Sequence, residues 1–287
     1  MNASAEQTID RDLAACLFCG DVRLKIAFTR KVFHERHDAP YHLCTGCHSL
    51  QISRVTWLDE AYVGTGDDID TGSVQRSILT VMLVRALRQG ALLTKGAGAL
   101  DYGAGLGLLV RLLRDEGFNA WGFDKYRKMH EADAFQIKHD GYQGTLDILV
   151  LIEVLEHLVD PFGELSAFST LLSDRGLILV RTGLYEHRIH GPDWWYLLPQ
   201  WGGHINFASR RGLKALARRL GMTAVFLPAG YCLMARPRAF LHLRWMLAGF
   251  WFLVNVALAR GIGLLNFRHA MADAAIVEAA NLRRPGP

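Results

Sequence analysis

The sequence has little of several features that mark particular classes of protein. Charged residues make up 21% of the chain against 51% hydrophobic residues, a composition that excludes a highly charged disordered protein. The first sixteen residues lack a basic stretch followed by an apolar run, so no secretory signal is predicted. No internal repeat or low-complexity tract is found. These features predict a chain with a sizeable buried core.

Acidic residues are scarce in the last part of the chain. Residues 207–287 contain 12 Lys/Arg and 2 Asp/Glu, whereas residues 1–206 contain 20 Lys/Arg and 26 Asp/Glu. The sequence therefore predicts a mildly acidic body followed by a basic attachment.

Cysteines are also few, and four of the five form two C-x-x-C pairs separated by 24 residues. In a chain without a predicted export signal, this pattern favours a metal site over disulfides and a cytoplasmic location. Each pair can supply two thiolates from one knuckle turn, and four thiolates close a tetrahedral zinc site with no open position. We therefore predict a structural zinc ribbon whose ligands are Cys16, Cys19, Cys44 and Cys47.

The first sixty residues have a balanced charge, which bears on the partner of this ribbon. They contain 7 Lys/Arg and 8 Asp/Glu, so they offer no phosphate-binding footprint. The intervening residues can form a hairpin. We therefore expect the ribbon to be a scaffold beside the acceptor. Nucleic acid is a less favoured partner.

The pattern changes at Gly98, where short apolar segments begin to alternate with amphipathic ones. This alternation is typical of a parallel α/β sheet. We expect domains at 1–60 (ribbon), 61–97 (linker and lead-in helix), 98–237 (α/β domain) and 238–287 (C-terminal helices). Strands are expected at 99–103, 119–124, 145–151, 176–182, 223–229 and 231–237, and helices at 73–90, 106–117, 125–135, 153–172 and 209–221.

A glycine-rich loop follows the first strand of the α/β domain. Gly103, Gly105 and Gly107 form a G-x-G-x-G pattern, without the third glycine of a dinucleotide fingerprint. Asp101 precedes the loop, where a carboxylate would repel a pyrophosphate but favour the ammonium of S-adenosylmethionine. Asp124, 17 residues after Gly107, ends the second strand, where an acid can accept the ribose hydroxyls. These residues predict an S-adenosylmethionine site.

Three motifs together resemble the class I S-adenosylmethionine-dependent methyltransferases over residues 75–237. They are DYGAGLG, GFD and EVLEHLVDP. The resemblance implies a Rossmann-like seven-stranded sheet with its last strand antiparallel, and methyl transfer by in-line displacement. It also implies that the cofactor is lined by Gly103, Ala104, Gly105, Asp124, Lys125 and Ile152.

Candidate catalytic residues follow the fourth strand. Glu153, Glu156 and His157 have i, i+3 and i+4 spacing, which would put them on one helix face near the cofactor. The E-x-x-E-H pattern resembles the magnesium-assisted O-methyltransferases of ubiquinone biosynthesis and of small-RNA 3′-end methylation, with His204 completing the ligand set. Many relatives carry a similar segment without metal, where these side chains fix loops. Both interpretations remain open.

His204 lies in an aromatic and glycine-rich stretch after the fifth strand. A neutral imidazole there can take a proton from a hydroxyl group. Alternatively, His204 is a hydrogen-bonded packing residue. Four aromatic residues can form an apolar or stacking wall for the acceptor: Trp194, Trp195, Tyr196 and Trp201.

The sequence therefore predicts a methyltransferase that acts on a small-molecule or lipid-linked hydroxyl acceptor. One alternative is an RNA methyltransferase that binds phosphates through its basic tail. Another is a non-catalytic cofactor-binding protein that recruits a partner through the ribbon. The sequence does not predict the oligomeric state.

A 15-residue segment without charge, residues 245–259, is interrupted only by Asn255. A membrane-spanning helix needs about 20 residues, so this segment is too short to span. It is flanked by arginines and contains interfacial aromatics, which favour a helix lying on the inner face of an anionic membrane. The alternative is a helix packed against the catalytic domain or a second subunit.

Overall fold

The computed structural model describes residues 13–53, 55–62, 72–137, 142, 144–236 and 242–261. The chain divides into two compact units. The first contains residues 1–65, 150–172 and 176–237, and the second contains residues 66–149, 173–175 and 238–287.

The described residues contain ten strands and six α-helices. The strands are β1 (Leu24–Val32), β2 (His37–Cys44), β3 (Leu50–Ile52), β4 (Gly98–Tyr102), β5 (Asn119–Phe123), β6 (Leu146–Ile152), β7 (Leu172–Arg181), β8 (Asn206–Phe207), β9 (Thr223–Phe226) and β10 (Tyr231–Ala235). The helices are α1 (Leu58–Tyr62), α2 (Ser73–Gln89), α3 (Leu108–Asp115), α4 (Pro161–Ser169), α5 (Arg210–Arg219) and α6 (His242–Gly261).

The central sheet has the strand order β5-β4-β6-β7-β10-β9. β4 and β5 are parallel, whereas β10 is antiparallel to both β7 and β9. The Rossmann-like fold and its antiparallel last strand are therefore confirmed. Six of the seven expected strands lie in the described residues. A parallel bridge between Gly122 and Gln136 continues the sheet beyond β5, and residues 138–141 lie outside the described part.

A second sheet, with the order β1-β2-β3-β8, contains the predicted hairpin. β1 and β2 are antiparallel, and three positive-φ residues, Phe33, His34 and Glu35, make the turn between them. β8 comes from the methyltransferase part of the chain and pairs with β3. The ribbon is therefore built into the first unit, whose core includes Tyr41, Trp57 and Phe207.

The prediction of a helix over residues 125–135 is wrong. Only a short 3-10 turn, Asp133–Phe135, forms there. The carboxylate of Asp124 accepts from the backbone N–H groups of Tyr126 and Arg127, and this local turn competes with helix initiation. The side chain of Gln136 then bonds Met129 N and fixes the segment as a loop.

The prediction of a single helix over residues 153–172 is also wrong. Glu153 has a positive φ of 56°, a 3-10 turn covers Leu155–His157, and α4 begins only at Pro161. Asp160 caps α4 by accepting from Gly163 N, and proline is favoured in the first helical turn. Glu153, Glu156 and His157 therefore do not share a helix face.

In the second unit, the side of α6 that contains Ala248 and Asn255 packs against α2. Ala248 lies against Gly90, where an added Cβ would come within 2.7 Å of the Ala248 Cβ, and Asn255 Nδ2 donates to Gln89 Oε1 at 3.0 Å. The opposite side of α6 exposes large apolar residues: Met246, Leu247, Phe250, Leu253 and Leu258. Among the described residues, no helix is long and apolar enough to cross a membrane. The second C-terminal helix, expected after residue 261, lies outside them.

Candidate functional site

The glycine loop follows β4 in the second unit. Gly103, Gly105 and Gly107 all have positive φ, a conformation that glycine adopts without the strain of a Cβ. Gly103 N and Ala104 N donate to Phe123 O at 2.8 and 3.0 Å, so the loop is anchored to the end of β5. The backbone of residues 103–105 remains half-exposed, as the predicted cofactor site requires.

Asp124 supports this loop directly. Its Oδ2 atom accepts from Gly105 N at 2.8 Å, and its Oδ1 atom accepts from the N–H groups of Tyr126 and Arg127. A carboxylate has about four acceptor positions, so capacity remains for a ribose hydroxyl. Lys125, the next residue, is exposed and lies beside the Tyr126 ring, 5.2 Å from Nζ to the centroid.

Asp101 is buried near the end of β4. Burial, and secondly the negative charge of Asp124, raise the pKa of Asp101 to about 7. A ligand ammonium beside this carboxyl group would favour its ionised form. The side chain is therefore expected to bind a cationic group better as pH rises through 7.

In the first unit, a buried network surrounds Glu156, which is fully excluded from solvent. Tyr196 Oη lies 2.5 Å from Glu156 Oε1, and Thr182 Oγ1 donates to Glu156 Oε2 at 2.9 Å. Burial, followed by the charges of both glutamates, raises the pKa of Tyr196 well above its usual range, so the phenol keeps its proton. Glu156 therefore accepts hydrogen bonds on both oxygens, as a carboxylate does.

Glu153 has a different environment from Glu156. It forms an ion pair with Arg181 at the end of β7, and its second oxygen lies 2.8 Å from Tyr196 Oη, whose single proton is shared between Glu153 and the closer Glu156. The ring of Tyr196 requires Gly183, since a Cβ there would lie 2.4 Å from two ring carbons. Sequence reasoning missed Arg181 and Thr182, although polar residues at the end of a buried strand are a usual signal of a site.

Both histidines of the cluster have a defined orientation. His157 Nδ1 lies 3.0 Å from Gly203 O, and His204 Nδ1 lies 2.8 Å from Tyr196 O. A carbonyl can only accept, so Nδ1 of His204 donates to Tyr196 O, whereas His157 Nδ1 also lies 2.9 Å from Tyr62 Oη, a group that can donate or accept. Burial, and then the proximity of His204, lower the pKa of His157 to about 3, which keeps that ring neutral.

The structure brings together three of the four predicted catalytic residues. Ligand atoms of Glu156, His157 and His204 all lie within 4.8 Å of one another, and the two imidazole centroids are 4.7 Å apart. Glu153 is not in this group. Ile152, the last residue of β6, is partly exposed. The three clustered residues could hold a divalent ion or receive a proton.

The predicted aromatic residues do not form one uniform wall. Trp194 stacks on His190 at 4.2 Å between ring centroids, and Trp195 is 70% exposed. Tyr196 is buried in the network instead. Trp194 and Trp195 therefore remain candidates for acceptor contact, whereas Tyr196 contacts Glu156 and His204 of the candidate cluster.

The four paired cysteines converge in the first unit. Sγ atoms of Cys16 and Cys47, and of Cys19 and Cys44, are each 3.6 Å apart, and all four lie within 4.8 Å. Four ligands at the usual Zn–S distance would be separated by roughly 3.8 Å in a tetrahedron. In the second knuckle, Cys47 N lies 3.5 Å from Cys44 Sγ. The donor set and spacing fit zinc.

The electrostatics of the thiols also favour a bound cation. The hydrogen bond to Cys47 and burial raise the pKa of Cys16, and burial raises the pKa of Cys19 to about 12. Such thiols cannot all ionise side by side unless a positive charge is present. A zinc ion supplies that charge, and its binding would release the protons.

Comparison with known families identifies the chain. The model of a methyltransferase domain matches residues 80–226, more than half of the sequence. The chain therefore belongs to the methyltransferase-domain family and is a class I S-adenosylmethionine-dependent methyltransferase. No curated protein matches the sequence.

Several solved structures are similar in part. Magnesium protoporphyrin IX methyltransferase from Synechocystis PCC 6803 is 13% identical, with 62% of this chain and 94% of that chain covered and a TM-score of 0.43. An O-methyltransferase family protein from Burkholderia thailandensis is 12% identical, with 62% and 61% covered and a TM-score of 0.46. The assignment depends on the family match and not on these neighbours.

The first prediction concerns cofactor affinity and pH. Because the pKa of Asp101 is about 7, S-adenosylmethionine should bind about tenfold more weakly at pH 5.5 than at pH 7.5. The cofactor's own ammonium titrates near pH 8, so the comparison stays below that value. Isothermal calorimetry at both pH values measures the change.

Two variants and a control sharpen this experiment. Asp101→Asn should remove the pH dependence, and Asp124→Ala should weaken binding at both pH values. Asp115→Ala, on an exposed acid of α3 that pairs only with Arg111 among the described residues, should behave as wild type. A pH dependence that persists in Asp101→Asn contradicts the assignment of Asp101.

The second prediction is one tightly bound zinc ion per chain. A bound zinc would hold the two knuckles together, so zinc loss should lower the melting temperature of the protein. Metal analysis after dialysis should give one zinc for wild type and for Cys232→Ala, which changes the remaining buried cysteine. The Cys16→Ser/Cys44→Ser double variant should lose it. Full zinc retention in that variant would exclude the four-cysteine site.

Proposed function

We propose that this methyltransferase transfers the methyl group of S-adenosylmethionine to a hydroxyl group of a small or lipid-linked molecule. The observation that carries the proposal is the hydrogen bond between His204 Nδ1 and Tyr196 O, which directs the Nε2 lone pair away from the backbone. His204 is 8% exposed, so this nitrogen is shielded from bulk water. The four paired cysteines hold a structural zinc.

The proton of the acceptor hydroxyl passes to His204 Nε2 while the new O–CH₃ bond forms. The S–CH₃ bond breaks, and S-adenosylhomocysteine leaves as a neutral thioether. Glu156 lies in the same cluster and stabilises the imidazolium that forms. Tyr196 positions both groups, one through its backbone carbonyl and the other through its hydroxyl.

A divalent ion is the alternative occupant of the cluster. Glu156, His157 and His204 can present one carboxylate oxygen and two imidazole nitrogens, and backbone carbonyls orient both rings as in many metal sites. In that arrangement the ion, and not His204, would lower the pKa of the acceptor hydroxyl. Glu153, which is paired with Arg181, would not be a ligand.

The third prediction tests His204. Wild type and variants are incubated with cell extract and a radiolabelled methyl donor, and label is sorted into lipid, RNA, protein and small-molecule fractions. His204→Ala should lower turnover of the labelled acceptor by about 10² to 10⁴ without changing cofactor affinity. His34→Ala, an exposed histidine of the hairpin turn, is the matched control.

The outcomes distinguish a proton-accepting His204 from a divalent metal site in the cluster. Activity of His204→Ala within about twofold of wild type would return His204 to a packing role. Loss of wild-type activity on chelation, with the structural zinc retained and activity restored by magnesium or manganese, would favour the divalent ion over the base. Label found only in RNA would exclude the proposed acceptor class.

We also propose that the outward side of α6 binds an anionic membrane surface. Among the described residues of this helix, Ala248, Asn255 and Ala259 are buried, whereas Met246 and Leu253 are 72% and 67% exposed. Arg244 and Arg260 lie near its two ends. Large apolar side chains facing solvent between cationic residues fit a lipid interface, where each basic residue adds about 1 kcal/mol of attraction.

The fourth prediction is that the protein co-sediments with vesicles, in proportion to their anionic lipid content and inversely with salt. Phe250→Ser/Leu253→Ser should weaken binding at least about tenfold, because two apolar side chains no longer enter the lipid. Ile189→Ser changes an equally exposed apolar residue in the first unit and should have no effect. A protein that stays in the supernatant at every composition has no such membrane contact.

A further inference from the structure

A cavity of about 320 Å³ lies between the two zinc knuckles and α5. It shares no lining residue with the cluster of Glu156, His157 and His204. Its lining contains four basic residues, Arg23, Arg211, Lys214 and Arg218, together with Cys19, Asp21, Gly46, Cys47 and Ala215.

The basic side chains of α5 line this cavity from one helix face. Arg211, Lys214 and Arg218 have i, i+3 and i+7 spacing, and all three are exposed. None of them forms an ion pair with any other residue that the structure describes. Asp21 is the acid in the lining, and its carboxylate is already paired with Arg23 at 2.5 Å. Three cations therefore face the cavity without an acidic partner.

The negative charge of a zinc–thiolate centre would not neutralise all of the positive charge that lines the cavity. A zinc ion with four thiolates has a net charge of −2. The three unpaired cations exceed that charge by one, even if the whole thiolate charge acted on the cavity. Space for a small anion and an excess of positive charge thus occur together.

The walls of the cavity are fixed at both ends of α5. Ser209, which caps the helix, donates from Oγ to Cys47 O in the second knuckle. At the other end, Arg219 Nη1 donates to Leu17 O in the first knuckle at 2.8 Å. The knuckles therefore hold the backbone of α5 in place, so a bound anion would have to order only the basic side chains and not the helix.

We propose that this cavity binds the phosphate or diphosphate group of a small molecule. Arginine guanidinium groups bind phosphate oxygens in pairs and lysine adds a mobile point charge, so Arg211, Lys214 and Arg218 together suit a diphosphate better than a single carboxylate. Their convergence on one partly open groove of about 320 Å³ favours a small ligand. A polynucleotide would instead require a basic path along the surface.

The test is calorimetry on the full-length, zinc-loaded protein at low salt, with pyrophosphate and uridine diphosphate as probes. Binding should weaken as salt is added. Arg211→Gln and Lys214→Gln should each reduce affinity about tenfold, the loss expected for one charged hydrogen bond. Arg210→Gln is the matched control on the same helix, because Arg210 does not line the cavity and its guanidinium lies over the Phe226 ring. Its affinity should stay within about twofold of wild type.

Further experiments distinguish a lipid source of the phosphate group from a soluble one. They also test whether the variants lose zinc and whether RNA binds instead. Displacement of pyrophosphate by phosphatidylglycerol vesicles would identify a lipid head group, and displacement by uridine diphosphate alone a soluble ligand. Zinc content, measured in every variant, should stay unchanged. The proposal is overturned if neither probe binds at millimolar concentration, or if Arg211→Gln and Lys214→Gln lose zinc instead of anion affinity. Single-stranded RNA that binds and is not displaced by pyrophosphate would also overturn it.

Discussion

The first unit depends on one short extended segment, residues 204–209, which is almost completely buried. Ile205 N donates to Glu156 O, and Ile205 O accepts from Ile52 N, so the segment joins the catalytic cluster to the ribbon sheet within two hydrogen bonds. Its first residue is His204. Its last, Ser209, caps α5 and bonds the second zinc knuckle. The candidate base and the metal ribbon therefore share a single piece of backbone.

This connection gives the ribbon a physical role in a methyltransferase. β8 has only two residues, and it is held in register by β3, which begins three residues after Cys47. If zinc binds the four cysteines as proposed, its loss would remove a constraint on β3 and weaken the register of β8. His204 is two residues from β8. The ribbon is thus connected to an imidazole that belongs, by sequence, to a different part of the chain.

Local sequence signals were sufficient for some features and insufficient for others. The glycine loop, Asp124 and the cysteine pairs could be predicted because each depends on spacing within a short segment. The helices over 125–135 and 153–172 could not, because Asp124 caps a turn and Pro161 starts a new helix. The role of Tyr196 depends on contacts to residues 40 and 43 positions away, which no local pattern contains.

The electrostatics of the cluster explain why a base and a metal ligand are both chemically reasonable there. Glu156 is buried and receives only neutral hydrogen bonds, from Tyr196 and Thr182, while the positive charge of Arg181 is directed to Glu153. The imidazole rings of His157 and His204 lie beside this buried carboxyl group. Such a site favours the arrival of one positive charge. A proton taken from a hydroxyl acceptor supplies this positive charge, and so does a metal cation. Which of the two enters the site depends on the chemistry of the acceptor.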